Sequence, residues 1–162
     1  MEKIIGNNNV VIFDFDNTIW VWRRDLLDGK NRPNFLNLRI NGISTYCEEF
    51  GFVPDKMREF IQSLISKNIK IFILSACDNS IEYIDKCLFL KENFGISYNN
   101  VIGIGNSNSK VEIIKSLINK YNDKNFIFID DKFETLKECK KNLSITVYQP
   151  LEIIGENSIK II

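Results

Sequence analysis

The chain has 162 residues, 44% of them hydrophobic and 26% charged, which is enough apolar material for the core of one globular domain and too much for a disordered segment. Twenty-one basic residues balance twenty-one acidic ones, so no overall field recruits nucleic acid or an anionic membrane, and a polynucleotide partner is not expected. There is no histidine, which excludes Ser-His and Cys-His nucleophiles, histidine phosphotransfer and imidazole metal sites, and leaves catalysis to carboxylates, lysine, hydroxyls or thiols.

The opening MEKIIGNNNV has no apolar run long enough for a signal peptide and no segment approaches a membrane span, so a cytoplasmic protein is expected. Cys47, Cys77, Cys87 and Cys139 form no CxxC pair and fit reduced thiols better than a disulfide framework or a zinc site. The stretch VVIFDFDNTIW, Val10 to Trp20, organises the rest. Its apolar, β-branched start reads as a strand buried on both faces, so Asp14 and Asp16 fall where that strand ends and the chain turns. Two carboxylates one residue apart in a buried run repel each other and desolvate badly unless a cation sits with them, so the pattern asks for a metal.

Beyond it, RRDLLDGKNRPN reads as a loop. Leu36, Leu38 and Ile40 then alternate up to Asn41-Gly42, and a second short run begins at Ile43, which predicts a β-hairpin flap over about residues 36–47. Pro54 and Asp55 open a helix with Met57, Phe60, Ile61, Leu64 and Ile65 on one face, and the strand Ile69 to Leu74 ends in Ser75. A helix from about Ser80 to Asn93, stopped near Gly95, leads to the strand Val101 to Ile104. Lys110 opens another helix, the strand Phe126 to Ile129 ends in Asp130 and Asp131, Phe133 to Lys140 is a short helix, and Ile145 to Tyr148 is a last strand. The tail 151–162 adds an edge strand or covers the core.

Strands and helices alternate about five times, which predicts an α/β fold: a three-layer, Rossmann-like sandwich around a parallel sheet, in a single domain. In such a sheet the strand ends that carry Asp14, Asp16, Ser75, Asp130 and Asp131 lie along one edge, with Lys110 at a strand-helix junction beside them. Carboxylate oxygens suit Mg²⁺, and a cation held by acids with a lysine and a hydroxyl alongside is a receptacle for a phosphate dianion. With no histidine, the nucleophile for phosphoryl transfer is a carboxylate.

These residues resemble those of a known family. DFDNT is similar to the DxDxT signature of the haloacid dehalogenase superfamily, and Ser75, Lys110 and the acidic pair of FIFIDDKFE follow in that superfamily's order over roughly residues 10–150. Within it, DFDNTIW, NSKVEIIKSL and FIFIDDKFETLKE most resemble the magnesium-dependent phosphatase family. The resemblance implies a Mg²⁺-dependent phosphomonoester hydrolase working through an aspartyl-phosphate. Asp14 would attack phosphorus, Asp16 would protonate the leaving oxygen and then activate water, and Thr18 would orient Asp16 or the loop. Ser75, Ala76 and Lys110 would bind the transferring phosphoryl group. Asp14, Asp16 (through its backbone carbonyl), Asp130 and Asp131 would hold Mg²⁺. Ala76-Cys77 departs from the Arg-Thr pair of the phosphatase branch, which bears on substrate preference more than on chemistry.

The stretch between Asp16 and Ser75 contains a core helix and leaves no room for a large cap domain; the resemblance implies that such capless members act on large or exposed substrates, with phosphosugar, phosphoprotein and nucleotide all open. Trp20, Trp22, Arg23, Arg24 and Arg39 are candidates for the rim of the entrance, and a monomer or weak homodimer is expected. Each residue taken singly has a plainer reading: acids and Ser75 as caps, Lys110 as a solvated helix residue, Trp20 and Trp22 as packing. Rival functions are a phosphotransferase or polynucleotide 3′-phosphatase of the same superfamily, and, in another class, a receiver-like phospho-acceptor or a non-catalytic scaffold. A receiver places its Lys after a lone mid-chain Asp, whereas Lys110 lies between acids at both ends.

Overall fold

The structure, a computed structural model, describes residues 4–23, 45–105, 109–154 and 160–161. In chain order its elements are β1 (Ile4–Ile5), β2 (Asn9–Phe13), β3 (Val21–Trp22), α1 (Tyr46–Phe50), β4 (Gly51–Phe52), α2 (Asp55–Ser66), β5 (Lys70–Ala76) and α3 (Ser80–Phe94). A 3-10 turn at Tyr98–Asn100 leads into β6 (Val101–Ile104), followed by α4 (Lys110–Lys120), β7 (Asn125–Ile129), α5 (Phe133–Asn142), β8 (Thr146–Tyr148), α6 (Pro150–Ile154) and β9 (Lys160–Ile161).

Five of the strands form a parallel sheet in the order β6-β5-β2-β7-β8. The first strand of the set is therefore central, and the chain builds outward on one side before crossing to the other, which makes the ends of β2 and β7 the topological switch point. Alternation along β2 divides the core. Val10 and Ile12 join Phe72, Leu74, Phe126 and Phe128 beneath α4 and α5, whereas Val11 and Phe13 join Ile71, Ile73, Ile127 and Ile129 beneath α2 and α3. The near-continuous apolar strands are thus covered on both faces, as the three-layer reading requires. No described helix is long and apolar enough to cross a membrane.

Local signals account for most boundaries. Asn79 and Ser109 cap α3 and α4 by accepting from the second and, for Asn79, also the third following backbone N–H, and Gly95 ends α3 at φ 68°, where a side chain would be strained. The tail supplies α6 and a strand, β9, which pairs with β1 in a separate two-stranded sheet.

The predicted hairpin needs correction at its far end. Residues 36–44, with the Asn41-Gly42 turn, lie outside the described residues, but Tyr46 and Cys47, assigned to the flap, open α1 instead. Thr45 accepts from the Glu48 N–H in a T-x-x-E capping pattern, and the buried Asp85 of α3 accepts from the Tyr46 and Cys47 N–H groups at 2.8 and 3.1 Å. The antiparallel pair is β3 with β4, Trp22 opposite Gly51. It lies over Trp20, whose indole donates to the Cys47 carbonyl at 2.7 Å.

Gly51 is required by that contact: a Cβ there would collide with the Trp20 indole and the Val21 carbonyl. Gly51→Ala is expected to destabilise by about 1–3 kcal/mol through overpacking, whereas Gly105→Ala, which meets nothing within 4 Å, should leave the unfolding midpoint nearly unchanged. Thermal or urea denaturation of the two variants checks this.

Candidate active site

The site begins with register. Phe13 and Ile129 are opposed across β2 and β7, so the next residues, Asp14 and Asp130, emerge side by side, and the Asp14 N–H bonds the Ile129 carbonyl at 2.8 Å. After Asp14 the chain turns tightly. The Phe15 carbonyl accepts from the N–H groups of Thr18, Ile19 and Trp20, and Asn17 sits at φ 58°, a left-handed conformation that Asn tolerates better than most residues. This turn brings Thr18 back over the strand end. Its hydroxyl donates to Asp14 Oδ2 at 3.2 Å and accepts from the Asp131 N–H at 3.1 Å, so it ties the two acidic segments together and does not bond Asp16.

Lys110, the first residue of α4, donates to Asp14 Oδ1 at 2.6 Å and to Asp130 Oδ2 at 2.8 Å. Asp130 is fully buried, and its other oxygen accepts from the Lys132 N–H. Carboxylate oxygens of Asp14, Asp130 and Asp131 all lie within 4.8 Å of one another. Burial pushes the Asp14 carboxyl up to about 6, with Lys110 opposing the shift and Asp130 and Asp16 adding to it. Burial, then the Asp130 charge, raises Asp131 as well. Among the described residues, Asp131 Oδ1 is buried with no hydrogen-bond partner. A buried acceptor without a donor is costly, and carboxylate oxygens gathered this closely fit a divalent cation, so these three acids could hold a metal ion.

Asp16 and Ser75 stand in a second group around a residue that sequence reasoning missed, Lys86. Its ammonium, 1% exposed, donates to Asp16 Oδ2 at 2.7 Å, Ser75 Oγ at 3.0 Å and the Ala76 carbonyl at 3.1 Å, and pairs with Glu82 at 2.8 Å. It lies 5.2 Å from the centre of the Phe15 ring. Burial alone would lower this ammonium, but Asp16 and Glu82 outweigh that and hold it above the ordinary lysine value. Lys86 sits four residues before Leu90 and eight before Phe94, both buried, and a lysine on a helix's apolar stripe is the signal that could have found it. Its i,i+4 spacing from Glu82 makes it look instead like one half of a surface pair.

The two lysines enter from opposite sides of the sheet: Ser75 continues the Ile71 and Ile73 face of β5, covered by α3, and Lys110 comes from α4 on the other face. Asp16 is more accessible than the buried Asp14 and Asp130, its side chain 41% exposed, and its carboxylate is not part of the Asp14, Asp130 and Asp131 cluster. Trp20 is 2% exposed and stacked on Phe15, so it is a core residue beneath the β3–β4 pair and not part of an entrance rim. Trp22 is half-buried against Trp20 and Tyr46, Arg23 is exposed, and Arg24 and Arg39 lie outside the described residues. Ala76 is exposed, and Cys77 beside it has a thiol that burial pushes up to about 11, so it stays protonated. All four cysteines are free.

No protein-family model and no curated protein matches the chain. Solved structures do. A Burkholderia xenovorans LB400 protein described as a haloacid dehalogenase-like hydrolase is 14% identical with a TM-score of 0.57, over 87% of this chain and 80% of that one. The N-terminal part of a Bacteroides fragilis protein, containing a phosphatase domain and complexed with Mg, is 16% identical with a TM-score of 0.55, over 91% of this chain and 38% of that one. The chain therefore has the haloacid dehalogenase-like fold, a parallel sheet between helices with a small antiparallel pair beside it.

Because the folded state raises Asp14 from 3.8 to about 6, it binds that proton more tightly than the unfolded chain does. The stability this carboxyl contributes is therefore full below about pH 4 and lost as the pH rises to about 6, at roughly 1.4 kcal/mol per unit. A divalent cation binds the ionised cluster and opposes that loss. Adding Mg²⁺ should thus raise the melting temperature more at pH 7.5 than at pH 5, as read by differential scanning fluorimetry; an equal rise at both would contradict a metal site at these acids.

Proposed function

We propose that this protein is a Mg²⁺-dependent phosphomonoester hydrolase that works through an aspartyl-phosphate on Asp14. The observation that carries the reading is the buried, unpartnered Asp131 Oδ1 on one of three clustered acids, Asp14, Asp130 and Asp131, at the switch point of the sheet, where Lys110 bonds only the other two. A phosphatase domain of the same fold complexed with Mg, and a hydrolase-like neighbour, support it.

Asp14, Asp130 and Asp131 would hold the Mg²⁺, with the Asp16 backbone carbonyl as a further ligand. Bound there, the ion supplies positive charge against the oxygens of the transferring phosphoryl group. The chain's own groups do the rest. Lys110 and Thr18 each engage one oxygen of Asp14 and fix the carboxylate's orientation. A bond forms from Asp14 to phosphorus as the bond to the leaving oxygen breaks, and Asp16 gives its proton to that oxygen. Asp16, now a carboxylate, takes a proton from the water that attacks the aspartyl-phosphate and releases inorganic phosphate. Ser75 and the backbone at Ala76 bind phosphoryl oxygens. The accessible Asp16 favours a hydrolase over a receiver-like phospho-acceptor, which needs no group to protonate a leaving oxygen or activate water.

Substrates of this site are phosphomonoesters, with phosphoproteins, phosphosugars and nucleotides as the classes to be screened. Turnover of p-nitrophenyl phosphate should require Mg²⁺ and stop in EDTA. Asp14→Asn should lower kcat by roughly 10³-fold or more while leaving circular dichroism unchanged. An active Asp14→Asn enzyme would remove the proposed nucleophile, and a wild-type protein inert toward every phosphomonoester would remove the function.

A further inference from the structure

Among the described residues, Lys86 is a buried cation of the site that the proposed mechanism does not use. It is buried, it reaches four acceptors with three N–H protons, and two of those acceptors are Asp16 Oδ2 and Ser75 Oγ. Any buried ammonium needs acceptors for its three N–H groups, and a purely structural one could take them from nearby backbone carbonyls. This one instead bridges two strand ends, β2 through Asp16 and β5 through Ser75 and Ala76, and Glu82 one turn earlier on α3 completes its charge balance. No described residue donates to Asp16 Oδ1. Lys86 therefore distinguishes the two oxygens of Asp16: Oδ2 is held, and Oδ1 is left to carry the proton.

We propose that Lys86 is a positioning residue that seats the Asp16 carboxyl and the Ser75 hydroxyl, so that proton transfer to the leaving oxygen runs through Asp16 Oδ1. This rests on the hydrolase reading given above. Ala76 and Cys77 follow Ser75 with no side-chain cation, and Lys86 brings one to the same strand end from the neighbouring helix.

The test uses Lys86→Met, which keeps the volume, and Lys86→Arg, which keeps the charge. Values of kcat/KM are measured for p-nitrophenyl phosphate, whose leaving group departs without a proton, and for an alkyl phosphate, whose leaving group needs one; kcat/KM reports only the steps through formation of the aspartyl-phosphate. Lys86→Met should lose about 100-fold or more with the alkyl ester and less than about 10-fold with the nitrophenyl ester, and Lys86→Arg should recover much of the difference. Equal losses on both esters, or no loss on either, would overturn the proposal. If the wild-type protein hydrolyses neither ester, the hydrolase reading is decided by the wider phosphomonoester screen, and a crystal structure of Lys86→Met decides the positioning claim alone. An Asp16 carboxylate turned away from its seat supports that claim, and one that stays in place overturns it.

Discussion

The structure depends on an imbalance of charge at the ends of two adjacent strands. Asp14, Asp130 and Asp131 crowd together where water is largely excluded, and among the described residues the ammonium that bonds into the group, that of Lys110, touches only two of them. Burial disfavours their ionisation and the neighbouring carboxylate charge adds to that, which is why Asp14 rises to about 6 and Asp131 moves the same way. A protein does not gather acids in this manner for stability; the arrangement makes physical sense when a further cation shares the oxygens. The unpartnered Asp131 Oδ1 is consistent with such a site.

Everything else in the fold serves to hold that imbalance in place. The β2–β7 register sets Asp14 beside Asp130, the tight turn through Asn17 returns Thr18 to bind both acidic segments, and the helix layers on the two faces of the sheet deliver one lysine each. Lys110 steadies the carboxylate read as the nucleophile, and Lys86 steadies the carboxylate read as the acid. Two acids two residues apart can then have different environments, one buried and bridged, the other accessible with one oxygen tethered. Separating the environments of two carboxyl groups is how a single loop can provide both a nucleophile and a proton donor.

Much of this was legible in the chain itself. Strand-helix alternation, the helix starts near Asp55 and Lys110, and the placement of Asp14, Ser75, Asp130 and Asp131 at strand ends all follow from local periodicity and capping, because parallel strands buried on both faces read as apolar runs that stop where polar chemistry begins. What local pattern does not encode is contact across long separations. The helix Tyr46–Phe50 looks like the arm of a hairpin until Asp85, almost forty residues later, caps its first N–H groups, although the T-x-x-E signature at Thr45 was there to be read. Trp20 looks like an entrance residue until Gly51 allows β4 to lie against its ring. Lys86 looks like a surface lysine until the burial of α3 turns it toward Asp16.

The most direct test is crystallographic. Crystals soaked in Mn²⁺, which scatters anomalously and takes the same hard oxygen ligands as Mg²⁺, should show one anomalous peak among the carboxylate oxygens of Asp14, Asp130 and Asp131, with the formerly unpartnered Asp131 Oδ1 facing the ion directly or through a water. A peak elsewhere on the molecule, or none with these three acids in their present positions, would contradict the claim that these acids hold a cation.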